Sequence, residues 1–146
     1  MEESISLLKT IKSEFVCEDV DIRTYSPLAL AYIGDVVYEI IIRTVVVERG
    51  NRAAQQLHKR AVKFVNASTQ AAMIESLMEE LSEEELAVYR RGRTAQSYTT
   101  AKNASVGDYR RATGFEALLG YLYLQDKTER VIELVKRALE KLNLEI

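Results

Sequence analysis

The amino-acid sequence predicts an all-α fold of six to seven helices, read as a single domain over residues 1–146. Three observations point there. One proline and six glycines punctuate the chain, too few for a many-turned β architecture. Apolar residues recur three and four positions apart along most of its length. Serine and proline stand where helices are expected to start, and glycine where one should stop. The length suffices for one hydrophobic core, and 47% hydrophobic with 29% charged residues is an ordinary globular balance.

The elements follow in order. Ile5, Leu8, Ile11 and Phe15 lie on one helical face and predict a helix over about residues 3–15. Ser26 suits an N-cap, Pro27 the first helical position and Gly50 the stop of a second helix. Apolar residues occur on nearly every face of 28–47, the pattern of a helix enclosed by others. That stretch is about long enough to cross a bilayer, but Asp35, Glu39 and Arg43 interrupt it, so a core helix is expected. Ala54, Leu57, Ala61, Val62 and Val65 form the stripe of a third helix, over about 51–65. Ser68 is a candidate cap for a fourth, carrying Ala72, Met73, Leu77 and Leu81, and Ser82 with Glu85 make a capping box for a fifth. Residues 92–107 are polar, small and glycine-bounded, and predict the one long loop. Two further helices follow, over about 108–125 and about 128–142.

Several chemistries are excluded at once. Cys17 is the only cysteine, expected as a small buried hydrophobe, so neither a disulfide nor a thiolate metal site is available. His58 is the only histidine, on a polar helix face, which rules out multi-histidine metal sites. No phosphate-binding glycine motif is present. The N-terminus is acidic rather than positively charged, so a cytoplasmic location without a membrane is expected.

Carboxylates are left. Asp35 lies in Ala-Tyr-Ile-Gly-Asp-Val-Val, in the most apolar helix, where an unpartnered acid is costly and Gly34 beside it weakens the helix. Glu116 repeats the situation in Gly-Phe-Glu-Ala-Leu-Leu-Gly. Each is either a buried acid with an ordinary partner or half of a divalent-cation site. Glu39, one turn after Asp35, either joins that site or pairs with Arg43. The net charge is −2, but six basic residues against one acid lie between Arg90 and Arg111, a pattern that suits a nucleic-acid face.

The segment Tyr32-Ile33-Gly34-Asp35-Val36-Val37 resembles the signature of the ribonuclease III family, and Phe115-Glu116-Ala117-Leu118-Leu119-Gly120 its second motif. Phe64-Val65-Asn66-Ala67 resembles the segment between them. Arg91-Gly92-Arg93 and Lys102-Asn103 add a likeness to the stand-alone catalytic-domain branch, the Mini-ribonuclease III subfamily.

The resemblance implies a magnesium-dependent endoribonuclease acting on double-stranded RNA, with manganese as a substitute ion. It implies Asp35 and Glu116 as catalytic metal ligands, and Arg91, Arg93, Lys102 and Arg110 suit contacts to RNA. It further implies a symmetric homodimer, precursor 23S ribosomal RNA as substrate and a ribosomal protein as helper. The apolar excess of helix 28–47, with Tyr25 and Tyr38, suits either the dimer interface or an internal core. Ala31 and Thr113 stand where ordinary family members carry two more acids. That departure sustains one alternative, a non-catalytic RNA-binding module for ribosome assembly.

Overall fold

A computed structural model describes residues 6–95 and 105–146, which form seven α-helices and no strand. They are α1 (Leu7–Glu14), α2 (Pro27–Glu48), α3 (Ala54–Val65), α4 (Ala67–Leu77), α5 (Glu83–Thr94), α6 (Val106–Leu124) and α7 (Thr128–Lys141). Short 3₁₀ turns at Ile22–Thr24 and Met78–Glu80 lead into α2 and out of α4.

Capping explains most of the boundaries. Ser26 accepts the Ala29 N–H at 3.2 Å, and Pro27 opens α2 as expected. The Ser82 hydroxyl and Glu85 carboxylate complete a reciprocal capping box on α5. Ser105 caps α6, which therefore starts earlier than its apolar periodicity suggests. Asn66, not Ser68, caps α4: its Oδ1 accepts from the Thr69 N–H at 2.8 Å, and its amide donates to the last carbonyls of α3. One asparagine thus closes one helix and opens the next. Three helices end through left-handed residues other than glycine: Val16, Asp126 and Asn143. In each case the following N–H reaches back five residues to a helix carbonyl.

The centre of the fold is α6, not α2. Ten residues of α6 are buried, from Ala112 to Leu122, and α2, α4, α5 and α7 pack around it. Tyr38 meets Phe115 edge-on at 5.9 Å, and its hydroxyl donates to the Phe64 carbonyl. Tyr38 is therefore core and contributes nothing to an outer face. Conversely, α2 is not enclosed on all sides. Tyr32, Val36, Ile40 and Val47 form an exposed apolar stripe along it, with Tyr32 82% exposed.

Several smaller expectations are corrected. Cys17 is exposed, because α1 ends at Glu14 and the chain turns outward through Val16. On α3 the buried residues are Ala61 and Phe64, whereas Val62 faces solvent. The expected loop 92–107 is shortened at both ends, since α5 continues to Thr94 and α6 begins at Val106. Lys102 lies outside the described residues. No helix among the described residues is long and apolar enough to cross a membrane.

Candidate active site

The site begins with two glycines. A β-carbon placed on Gly34 would overlap the Glu116 carbonyl oxygen, with the Gly120 nitrogen only 2.8 Å away. One placed on Gly120 would overlap the Leu30 carbonyl oxygen. The backbones of α2 and α6 therefore touch across this crossing, an approach open only to residues without side chains. Gly92 and Gly114 do the same for α5 and α6, where an added carbon would come within 2.7 Å of Ala117 and Tyr89.

This contact brings Asp35, next to Gly34, up to Glu116, whose carbonyl Gly34 meets. Asp35, exposed on α2, and Glu116, half-buried on α6, bring their carboxyl groups side by side. Burial first, and then the neighbouring Asp35 carboxyl by hydrogen bond and by charge, together push the Glu116 carboxyl up to about 9. Glu116 thus keeps a proton at neutral pH. The two acids placed 81 positions apart in sequence form one pair.

Glu39 forms an ion pair with Arg43 at 3.0 Å, and its charge adds a smaller upward push on Glu116. Thr113 is buried, and its hydroxyl donates to the Tyr109 carbonyl at 3.0 Å within its own helix. Among the described residues no cluster of three or more acidic, histidine or cysteine side chains is gathered.

Sequence reasoning missed Gln70. It lies on the inner face of α4, is 3% exposed, and favours ionised Glu116 through its amide without completing a hydrogen bond to it. The periodicity assigned that helix's buried face to Ala72, which is exposed, so a neighbouring polar residue carried no signal.

The cationic groups fall on two surfaces. Arg90 and Arg91 are exposed at the end of α5, Arg110 is exposed near the start of α6, and Arg93 lies 5.5 Å from the centre of the Tyr89 ring. Arg111 is tied to Glu75 at 2.7 Å. A second surface was not anticipated. Arg49, Arg52, Lys59, Arg60 and Lys63 are exposed on and before α3, and no acid occurs between Glu48 and Glu75. His58 is exposed among them. The acid-free run is legible in the sequence once charge is counted over 25-residue windows rather than over loops alone.

Comparison with known proteins adds the lineage. A family profile described as Ribonuclease III domain matches residues 28–127. The chain is 48% identical over 117 residues to the Mini-ribonuclease 3 of Clostridium tetani, covering 80% of this chain and 78% of that one. It is 46% identical over 123 residues to the Mini-ribonuclease 3 of Enterococcus faecalis, covering 83% and 93%. A crystal structure of a Fusobacterium nucleatum protein superposes with a TM-score of 0.74 at 28% identity, covering 84% of this chain and 98% of that one.

Proposed function

The chain belongs to the ribonuclease III family, in its Mini-ribonuclease 3 group, and from that premise we propose that it cleaves double-stranded RNA with magnesium held by Asp35 and Glu116. The observation that carries the reading is the paired carboxyl groups at the α2–α6 crossing, with Glu116 driven up to about 9. Two acids are forced together at a cost that a cation between them would relieve.

The residues fit that ion. The donors are carboxylate oxygens, and magnesium commonly takes one or two protein carboxylates and completes its shell with water and substrate phosphate. When bound, it supplies an activated water and neutralises charge at the scissile phosphate. Asp35, at the open side of the pair, is the ligand nearer the approaching RNA. Glu116, once ionised, would hold the ion together with Asp35. Gly34 and Gly120 hold the two helices at the spacing this requires.

Double-stranded RNA is recognised largely through phosphates and 2′-hydroxyls, for which exposed cations on rigid helices are well suited. Arg91, Arg93 and Arg110 serve this role on α5 and α6, and the family resemblance adds Lys102, outside the described residues, to the same set. The α3 cations extend the same field. A second copy of the chain packs on the α2 stripe of Tyr32, Val36 and Ile40. That stripe lies on the same helix as Asp35, so a two-fold pairing there sets two sites near one duplex, one for each strand. The finer reading, carried by the family resemblance, is that the natural duplex lies in precursor 23S ribosomal RNA, in the cytoplasm, with manganese able to replace magnesium.

The lack of acids at Ala31 and Thr113 favours one competing reading, an RNA-binding module that does not cut. Incubating the pure protein with duplex RNA, with and without magnesium, separates the two. Magnesium-dependent cleavage supports the nuclease, and binding without cleavage supports the module.

A further inference from the structure

Gln70 is a neutral polar side chain buried where the fold gives it no structural work. It sits on α4 among Ala71, Met73, Ile74 and Leu77, all buried, on the face that packs against α6. Only 3% of it is exposed, and its Nε2 has no hydrogen-bond partner among the described residues. A buried donor left unpaired destabilises a fold, and an apolar residue of similar size would avoid that cost. The amide lies against the carboxyl of Glu116. Neither residue at the positions where relatives carry extra acids reaches there, since Ala31 has no polar group and the Thr113 hydroxyl is engaged with Tyr109.

We propose that Gln70 is a positioning residue of the site, whose amide donates to the ionised Glu116 carboxylate and fixes the orientation in which it shares a cation with Asp35. A neutral donor suits that task better than a third carboxylate. It stabilises the charged form of Glu116 without adding a further negative charge beside Asp35 and Glu39. This inference rests on the reading of Asp35 and Glu116 as the metal site.

The test uses Gln70→Met, of similar length without a donor, and Gln70→Leu beside it. Manganese binding to the RNA-free protein is followed by electron paramagnetic resonance, thermal unfolding in metal-free buffer, and cleavage of a synthetic RNA duplex against magnesium concentration. We expect the manganese dissociation constant and the half-maximal magnesium concentration both to rise about tenfold or more. The metal-free unfolding temperature should stay level or rise, because an unpaired buried amide has been removed. Unchanged manganese affinity would overturn the inference. So would a loss of affinity accompanied by a comparable loss of thermal stability, the mark of a purely structural role. In the unaltered protein the Gln70 side-chain amide resonance should shift when magnesium is added, and a static resonance would overturn the inference even if neither variant folded. Asp35→Asn keeps the two questions apart. Full cleavage by that variant defeats the site itself, whereas an inactive Asp35→Asn alongside normal metal binding by the Gln70 variants defeats only the role of Gln70.

Discussion

Gly34 and Glu116 meet backbone to backbone, so that a single methyl on Gly34 would occupy the space of the Glu116 carbonyl oxygen. The contact ties the geometry of the carboxyl pair to the packing of the two longest helices. Gly34→Ala must therefore push α2 from α6 and separate Asp35 from Glu116. We expect a loss of about 3 kcal/mol or more, the upper range for overpacking, read from the urea unfolding midpoint, together with loss of cleavage. Gly50→Ala is the control. A methyl there meets only the flexible Arg52 side chain, and stability should change by less than about 1 kcal/mol.

The raised Glu116 carboxyl makes stability fall as pH rises. In the unfolded chain this group loses its proton near its ordinary value of 4.5, whereas in the folded, metal-free protein it keeps it up to about 9. Between those values the folded state binds the extra proton, so each pH unit costs up to roughly 1.4 kcal/mol. Thermal unfolding from pH 5 to 9 in metal-free buffer should show this decline. Glu116→Gln should flatten it and be the more stable protein near pH 8. A decline of equal slope in that variant would show that another group carries it.

For cations proposed to meet RNA through phosphate, removal should be indifferent to base sequence. Arg91→Ala and Arg110→Ala should each weaken duplex binding and lower the slope of log affinity against log salt by about 1. Lys59→Ala and Arg60→Ala on α3 test whether the second basic surface reaches the same duplex. An unchanged salt slope in the α3 pair would restrict the RNA face to the end of α5 and the start of α6.

Tyr32 is 82% exposed on the stripe assigned to the second copy. Tyr32→Asp buries no new charge in the monomer, so its fold should lose no more than about 0.5 kcal/mol. Sedimentation should show the unaltered protein as a dimer and the variant as a monomer. A monomeric unaltered protein, or a variant that stays dimeric, would remove the stripe from the interface.

The legible part of the fold was its punctuation. Ser26-Pro27 and the Ser82–Glu85 box mark helix starts through side-chain chemistry that acts within four residues, and the structure uses both. Asp35 and Glu116 stood out because an acid in apolar company needs a reason. What one sequence hides is the relation between distant segments. The face of α2 that is left open depends on where α6 lies, so Tyr38, read as interface or core, turns inward while Tyr32, six residues before it and not singled out, stays exposed. Left-handed helix ends at Val16, Asp126 and Asn143 lack the glycine by which such ends are recognised. Gln70 is an ordinary helix residue until Glu116 is brought against it.

The proposed pairing of Asp35 and Glu116 on one ion can be tried on RNA itself. Its most direct test is single-turnover cleavage of an end-labelled RNA duplex by the unaltered protein, Asp35→Asn and Glu116→Gln, each with magnesium or with chelator, beside a filter-binding measurement on the same duplex. The unaltered protein should cleave in magnesium alone, neither variant should cleave, and all three should bind the duplex. Magnesium-dependent cleavage at an undiminished rate by Asp35→Asn would contradict that pairing.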